Sequence, residues 1–399
     1  MNFLQNKNIL ICIPFFVLLI SCKKTLNQST DTEQISFINI IKDGPIGWET
    51  KEPCKIIYTN NMETNELAGK IKCRGGVSSK YDKHSFSLEL DNKYSLGNLP
   101  SDDDWILNAN YIDKTFMRHK ISYDIFREMN SKNVASKSTY INVSVNNKYQ
   151  GLYVIMEEIN GAMAGLNKSD TMAVLFKDPP IFIENRLSYV QDSLNYYQQK
   201  YPKIYDSDKT YYIEGFKDFL FYSSDSDFSK NVSSWVDVDN VIDWHIILLF
   251  SNNQDGILKN FYLYKINKDT PFRFAIWDYD HSFGRDGDNE RNLMERELDC
   301  NKAVLLKRLM QIPETGYANK IRERWFELRK MQIISYNNFK SHITKNDKII
   351  RNEVEKNFEK WPVDSKWYYD DNSYQQELDL MLDFVKIRID QLDKYFNSL

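Results

Sequence analysis

The chain has 399 residues, of which 42% are hydrophobic and 14% aromatic, enough to bury the core of two domains or of one two-lobed domain. Its 52 basic and 56 acidic residues are interspersed and give a formal net charge of −4. Without a basic stripe, the composition argues against a nucleic-acid partner. The five cysteines and five histidines show no zinc-ligand spacing, which argues against a zinc protein.

The N-terminus predicts export. Lys7 precedes an apolar stretch from Ile9 to Ile20, which is too short for the roughly 20 residues of a membrane span but suits the core of a signal peptide. The end of this stretch, Leu19 to Cys22, resembles a bacterial lipobox. We expect residues 1–21 to be a lipoprotein signal peptide, Cys22 to carry the lipid, and residues 22–34 to form a tether. The protein would then be lipid-anchored in a bacterial cell envelope; a plain secretory signal is the alternative.

The first half of the remaining chain predicts a β-rich N-terminal lobe, over about residues 35–180. Alternating apolar residues and turn signals predict the strands Ser36 to Ile41, Cys54 to Thr59, Gly69 to Arg74 and Ser85 to Leu90, a helix from Asp113 to Met129, and a hairpin of Tyr140 to Val145 with Tyr149 to Glu157. Cys54 and Cys73 fall in adjacent strands and either form a disulfide or remain buried thiols. Cys300 has no obvious partner.

The second half predicts a helical lobe, over about residues 181–399. Helical spacing predicts helices at Tyr212 to Phe221, Val238 to Phe250, Ala303 to Gln311, Ala318 to Met331 and Gln375 to Phe396. Only one hairpin interrupts them, with strands Phe261 to Ile266 and Pro271 to Trp277 around a polar turn. The fold class predicted is therefore α+β.

The loop before this hairpin carries the clearest chemical pattern. Asp255 and Asn260 are five residues apart, and Asp278 follows the second strand. A protein kinase has the same order: a loop Asp that accepts the substrate proton, an Asn that binds magnesium, and an Asp after a short hairpin that binds the phosphate-bridging metal. An Asp and an Asn at this spacing are often an ordinary turn pair, but the intervening strands predict that all three converge at one end of the hairpin.

Five segments in this order resemble the spore coat protein H (CotH) kinase family. They are Arg74 to Ser79 leading to Lys83 to Leu90, Asp104 to Asn110 with Asp113 to Arg118, Tyr149 to Val154 with Glu157 and Glu158, Asn253 to Asn260, and Trp277 to Asp280 with Ser282 to Gly284. The resemblance covers about Ile35 to Phe396. It implies a divergent two-lobed kinase-like fold that transfers phosphate from ATP to Ser or Thr of an unidentified protein acceptor, using Mg²⁺ or Mn²⁺.

The resemblance also implies catalytic and metal roles. Asp255 would orient and deprotonate the acceptor hydroxyl, while Asn260 and Asp278 would bind the metal. Asp280 is a second metal ligand, a solvated partner of Arg285 or a turn residue. Lys259 either steadies the transferring phosphate or is a surface lysine.

The nucleotide side leaves more alternatives open. The glycine loop before Ser79 either approaches phosphates through its backbone N–H groups or is a hairpin turn. Arg74 and Lys83 flank this loop and would compensate phosphate charge, and Lys177 competes with Lys83 as the ATP lysine. Glu157 or Glu158 would pair with that lysine or follow a strand end near the adenine. His84 replaces a second basic residue that many relatives have at this point.

Two functions follow from the sequence. One is an active extracytoplasmic protein kinase, for which ATP would be scarce at that location. The other is a catalytically silent, surface-anchored binding or adhesion protein that keeps the same fold.

Overall fold

The computed structural model of the chain describes residues 35–185, 195–285, 294, 296–362 and 370–399. The predicted signal peptide and Cys22 lie outside these residues. Among the helices in this part of the chain, none has the length and apolar character needed to cross a membrane. The class is mixed α+β, with a β-rich N-terminal part and a helical C-terminal part, as the sequence predicts.

Seven strands of the N-terminal part close into a barrel. They are β1 (Ser36–Ile41), β2 (Glu52–Asn60), β3 (Glu63–Arg74), β4 (Ser85–Tyr94), β5 (Asp102–Asn108), β6 (Ser138–Val145) and β7 (Lys148–Glu157). Their order is β1-β2-β3-β4-β5-β7-β6, and the barrel closes where β6 runs parallel to β1. β5 was not predicted, because its acidic start, Asp102 to Asp104, hides the alternation that follows.

The wall formed by β5 and β7 is buried on both faces. In β5, Trp105 and Leu107 belong to the core inside the barrel, whereas Ile106 between them belongs to the larger core shared with the helices. In β7, Ile155 belongs to the core inside the barrel and Val154 to the larger core. Since successive side chains of a strand point to opposite faces, this wall joins the barrel to the rest of the molecule.

The barrel register excludes a disulfide between Cys54 and Cys73. Cys54 lies opposite Gly69 on β3, four residues from Cys73. Four residues of strand span about 13 Å, whereas a disulfide needs Cα atoms within about 7 Å. Both cysteines and Cys300 are free thiols; Cys73 is buried as the second alternative expects, whereas Cys54 is half-buried.

A four-stranded second sheet carries the predicted hairpin. Its strands are β8 (Val174–Lys177), β9 (Gln199–Tyr201), β10 (Phe261–Lys265) and β11 (Arg273–Ile276), in the order β11-β10-β8-β9. β8 precedes residue 180, where the sequence places the lobe boundary, yet it pairs with β10 of the hairpin. The strand that ends at Lys177 is thereby brought beside the segment that begins at Asn260.

Eight helices pack around this sheet and the barrel in the described part of the chain. They are α1 (Arg118–Met129), α2 (Thr210–Tyr222), α3 (Asp225–Trp235), α4 (Val238–Ser251), α5 (Val304–Gln311), α6 (Tyr317–Lys330), α7 (Tyr336–Lys360) and α8 (Tyr374–Asn397). Helices α3 and α7 were not predicted, because polar residues dominate both. α7 buries only a narrow stripe that includes Ile343, Ile350 and Val354.

Helix α1 begins five residues later than predicted. The side chain of Asp113 accepts hydrogen bonds from the backbone N–H groups of Thr115 and Arg118, both at 3.0 Å. Phe116 has a left-handed φ of 59°, which is incompatible with a continuous helix. The segment from Asp113 to Met117 is thus a capping turn.

Candidate phosphoryl-transfer site

The loop that carries Asp255 is fixed by the helix before it. α4 ends at Asn252, whose φ of 59° terminates the helix. The side chain of Asn253 then accepts a hydrogen bond from the N–H of Gly256 at 2.9 Å. A Cβ atom on Gly256 would lie 2.6 Å from Cδ2 of Leu248, so only glycine lets the loop pack this tightly against α4.

Asp255 lies between two basic side chains. Nζ of Lys259 is 2.9 Å from Oδ2 of Asp255, and Nδ1 of His281 is 3.9 Å from the same oxygen. Burial alone lowers the pKa of Lys259, but the hydrogen bond to Asp255 and the charges of Asp255, Asp278 and Asp178 raise it overall. Lys259 is therefore an exposed lysine that pairs with Asp255 and also feels the charges of Asp278 and Asp178.

Three polar residues end neighbouring strands at one edge of the second sheet. Asn260 precedes β10, Asp278 follows Trp277 after β11, and Asp178 follows β8. Trp277 donates its backbone N–H to the carbonyl of Asn260 at 3.0 Å, and Phe261 donates to the carboxylate of Asp178 at 3.2 Å. The amide of Asn260 donates to the carbonyl of Asp278 at 3.0 Å. The predicted convergence of Asn260 with Asp278 is thus present in the geometry, with Asp178 added.

These three residues share an uncommon backbone conformation. Their φ angles are 62° for Asn260, 58° for Asp278 and 49° for Asp178. Asn and Asp tolerate the left-handed region better than other residues that have a Cβ atom. Each strand therefore turns sharply where it ends, and residues in such sparsely populated conformations often cluster at functional sites.

His119 and Asp280 complete a cluster around Asp278. One potential ligand atom from each of these three side chains lies within 4.8 Å of the others. Nδ1 of His119 accepts the N–H of Tyr279 at 2.9 Å. A neutral imidazole has one acceptor nitrogen, so Nε2 carries the proton and lies 3.8 Å from Oδ1 of Asp278. In this tautomer His119 cannot offer Nε2 to a metal.

The remaining donors suit a hard cation. Asn260, Asp278 and Asp280 provide amide and carboxylate oxygens, the ligands that Mg²⁺ and Mn²⁺ prefer. Withdrawal from bulk water and then the neighbouring Asp280 charge raise the pKa of Asp278. Its side chain is still 53% exposed, so this withdrawal is partial. The carboxylates of Asp278 and Asp280 repel one another and are reached by solvent. A divalent cation bound between them would remove this repulsion.

A cationic surface lies beside these carboxylates. Nζ of Lys177 lies 5.0 Å from the centre of the Trp277 ring, and the Arg74 guanidinium lies 5.8 Å from it. Burial and then the charge of Arg74 lower the pKa of Lys177, while Asp178 and Glu158 oppose this shift. Lys177 and Arg74 together could therefore compensate the charge of a bound anion.

Lys83 does not reach this surface. It is 1% exposed, and its ammonium donates to the carbonyl of Ala109 at 2.8 Å, to the carbonyl of Leu152 and to Oδ1 of Asn357 at 3.0 Å. All three donors are used, and burial lowers its pKa well below the usual range. The predicted phosphate role of Lys83 is therefore replaced by a structural one, which ties the barrel to α7.

Other predicted site residues are also placed by their contacts. The hydroxyl of Ser79 donates to the carbonyl of Gly76 at 2.7 Å, so it serves the turn in which it lies. Glu157 accepts the backbone N–H of Lys137 at 3.0 Å, while Glu158 is the glutamate whose charge acts on Lys177.

Arg285, offered as an alternative partner of Asp280, belongs to a separate buried network. Its guanidinium contacts Glu377 and Asp370, and Arg118 binds Glu377 from the other side at 3.0 Å. Arg118 also contacts Asp113 at 2.7 Å. Asp113, Arg118 and Arg285 thus belong to an ion-pair network that holds the start of α8 in place.

Sequence reasoning missed His119 and Asp178. His119 directly follows Arg118, which belongs to a segment of the family resemblance. Asp178 directly follows Lys177, a candidate for the ATP lysine. The signal for Asp178 was its position at the end of a short apolar strand, where polar residues of a sheet edge collect. His119 carried no such signal, because only the packing of α1 brings it to Asp278.

Comparisons with known proteins relate the chain to a family that is described as a kinase family. A family model described as CotH kinase protein matches residues 71–392. The inner spore coat protein H of Bacillus subtilis (strain 168) is 28% identical over 192 residues, which are 46% of this chain and 51% of that protein. The match therefore spans about half the length of this curated relative. The crystal structure of the Helicobacter pylori proinflammatory kinase CtkA covers 82% of this chain and 97% of its own, at 11% identity. Its TM-score of 0.22 is too low to establish a common fold.

Proposed function

This chain belongs to the CotH kinase protein family, and from that premise we propose that it transfers the terminal phosphate of ATP to Ser or Thr of a protein acceptor with Mg²⁺ or Mn²⁺. One observation carries the proposal. Asn260, Asp278 and Asp178 meet at one sheet edge, and Lys259 links this edge to Asp255 through its 2.9 Å ion pair. A kinase-like protein needs this combination of an acidic loop residue and a metal-binding edge.

Asp255 would act on the acceptor. Its carboxylate would accept a hydrogen bond from the acceptor hydroxyl and take the proton as the oxygen attacks phosphorus. Lys259 would hold the Asp255 carboxylate in place and lie close to the transferring phosphate. His281, 3.9 Å from the same carboxylate, borders the place where the acceptor would bind.

Asn260, Asp278 and Asp280 would hold the metal. A bound divalent cation would neutralise charge that develops on the transferring phosphate. His119 would keep Asp278 oriented from the protein side. Asp178, whose pKa burial raises, accepts the backbone N–H of Phe261 and thereby braces the start of β10.

Lys177 is the lysine that we assign to the nucleotide phosphates. It lies beside Arg74 on the Trp277 ring, with Glu158 as its acidic neighbour. The contacts of Lys83 support this choice between the two lysines. The Ser79 loop would contribute backbone N–H groups and not its hydroxyl.

We also propose that the protein is lipid-anchored through Cys22 in a bacterial cell envelope. The lipobox-like Leu19 to Cys22 motivates this proposal. Expression of Cys22→Ala in a bacterium that processes lipoproteins should move the protein from the membrane fraction to the soluble fraction. Retention of the variant in the membrane fraction, with no labelling of the parent by a radioactive fatty acid, would contradict it.

A thermal-shift experiment tests nucleotide binding first. ATP with manganese at about 100-fold over its dissociation constant should stabilise the protein by roughly 2.7 kcal/mol. Asp278→Ala should abolish this shift while the unliganded variant stays folded. Absence of any shift in the parent protein would favour the silent binding or adhesion protein.

Phosphate transfer is tested separately. The parent protein with labelled ATP, manganese and a Ser-rich protein should transfer label. Asp255→Asn should lower the rate by about 10²- to 10⁴-fold, the usual contribution of a general base, and keep the thermal shift. If the parent binds ATP but moves no label to Ser or Thr, the kinase proposal fails.

A further inference from the structure

A cavity of about 420 Å³ lies among α4, α5, α8 and residues 297–301, apart from the Asp278 cluster. Apolar side chains of Leu249, Leu306, Met310 and Leu392 line it. Arg388 and Gln391 of α8 line it as well. The volume falls within the roughly 300–1,000 Å³ of small-molecule sites.

Arg388 makes no ion pair in the described part of the chain. It is 4% exposed, and its Nη2 atom donates to the carbonyl of Arg296 at 2.6 Å. Its Nε atom is buried without a hydrogen-bond partner. Glu297 also lines the cavity, but it is exposed and makes no ion pair with Arg388. A buried cation without a counter-ion is costly to the fold.

The surroundings of Arg388 support the same conclusion. Burial and then the charge of Arg296 lower the pKa of Arg388 to about 10, and the charge of Glu297 opposes this shift. The guanidinium lies 5.2 Å from the centre of the Phe384 ring, a cation–π contact that offsets only part of the cost of burying its charge. One turn along α8, Oε1 of Gln391 is also buried without a partner. Unsatisfied polar atoms therefore lie on the α8 side of a cavity that leucine and methionine side chains also line.

We propose that this cavity binds a small amphiphilic carboxylate. The planar guanidinium of Arg388 would pair with the carboxylate, for which its geometry is well suited. Leu249, Leu306, Met310 and Leu392 would cover the apolar body. This site is independent of the proposed phosphate transfer, because it shares no residue with the Asp278 cluster.

Isothermal titration of the full chain with octanoate tests the proposal. Octanoate should bind at one site per chain. Octanol keeps the apolar body and lacks the charge, so it should bind at least roughly tenfold more weakly, the effect of losing a charge-assisted contact. Inorganic phosphate keeps a charge and lacks the apolar body, and it should also bind at least roughly tenfold more weakly. Failure of octanoate to bind, or equal binding of octanol, would overturn the proposal.

Variants place the ligand in the cavity. Arg388→Met retains a long side chain and removes the unpaired charge, so octanoate affinity should fall roughly tenfold or more. Arg351→Met, which removes an arginine exposed on α7, is the matched control and should bind as the parent does. If Arg388→Met does not fold, Leu306→Phe fills the cavity while Arg388 stays, and it should weaken octanoate binding. If octanoate binds to the folded variant, Arg388→Met or Leu306→Phe, as tightly as to the parent, the ligand lies elsewhere and the assignment is refuted.

Discussion

Nε2 of His119 lies 3.8 Å from Oδ1 of Asp278, while Nδ1 of the same ring accepts the backbone N–H of Tyr279 at 2.9 Å. The backbone contact fixes the tautomer, so the imidazole presents a proton to the carboxylate. Tyr123 adds a second restraint, because its hydroxyl accepts the N–H of Asp278 at 2.9 Å. α1 therefore binds the backbone of Asp278 by a hydrogen bond and places an imidazole N–H beside its carboxylate.

The first prediction separates the two functions of the His119 ring. His119→Asn keeps an acceptor near Tyr279 and loses the donor to Asp278, so manganese affinity should fall about tenfold, as for other residues that orient metal ligands. His119→Gln places its amide nearer to Nε2 and should lose less. Titration of Mn²⁺ followed by electron paramagnetic resonance measures both affinities. Parent-like affinity in His119→Asn would show that the contact is dispensable.

The second prediction distinguishes the two lysines. Lys83→Met removes the lysine donor from the carbonyls of Ala109 and Leu152 and leaves the Asn357 amide oxygen with the Leu152 N–H alone, which should cost about 2–3 kcal/mol of unfolding free energy. Its thermal shift with ATP and manganese should persist. Lys177→Met should change stability little and lose most of that shift. Urea unfolding and thermal-shift measurements on both variants test this, and the reverse pattern would return the nucleotide role to Lys83.

The third prediction concerns pH. Burial alone would raise the pKa of Glu377, but Arg118 and Arg285 lower it to about 2. An acid whose pKa falls on folding stabilises the protein above its ordinary pKa, and this contribution disappears as pH falls through the folded value. A shift from 4.5 to about 2 corresponds to about 3 kcal/mol, fully present above pH 4.5 and lost as pH falls to about 2.

Glu377→Gln should therefore lower the unfolding free energy by about 3 kcal/mol at pH 7 and flatten its decline between pH 4.5 and 2. The measurement is urea unfolding across this pH range. Glu327→Gln removes a glutamate that is 55% exposed and should stay within about 0.5 kcal/mol of the parent. A decline in Glu377→Gln as steep as that of the parent would assign the acid sensitivity to other groups.

The fourth prediction concerns the cysteines. Because Cys54 and Cys73 are out of register, reductant should not change the melting temperature of residues 35–399. Burial raises the pKa of Cys54 to about 11 and that of Cys300 to about 12, so both should alkylate slowly at pH 8. Mass spectrometry after iodoacetamide in urea, with and without reductant, counts the thiols. Two fewer labelled thiols without reductant would reveal a disulfide.

Much of the fold was readable because hydrophobic periodicity is local. The hairpin of β10 and β11, the buried α4 and the amphipathic α8 all follow from their own residues. Strand β5 and helix α7 were not readable, since their polar residues outweigh the apolar positions that tertiary contacts bury. The start of α1 was predicted too early. The apolar spacing of a helix continues through the capping turn at Asp113, so the sequence pattern does not show where the helix begins.

The sequence by itself determined that Asp255, Asn260 and Asp278 belong together, because a short loop and a hairpin connect them and fix their separation. Only the tertiary structure decided which cations and which imidazole surround them. Lys83 precedes β4 and Lys177 ends β8, and their sequence contexts do not show which of them is buried. Packing buries Lys83 against α7 and places Lys177 beside Arg74 and Trp277, because burial and charge depend on residues that are distant in the chain.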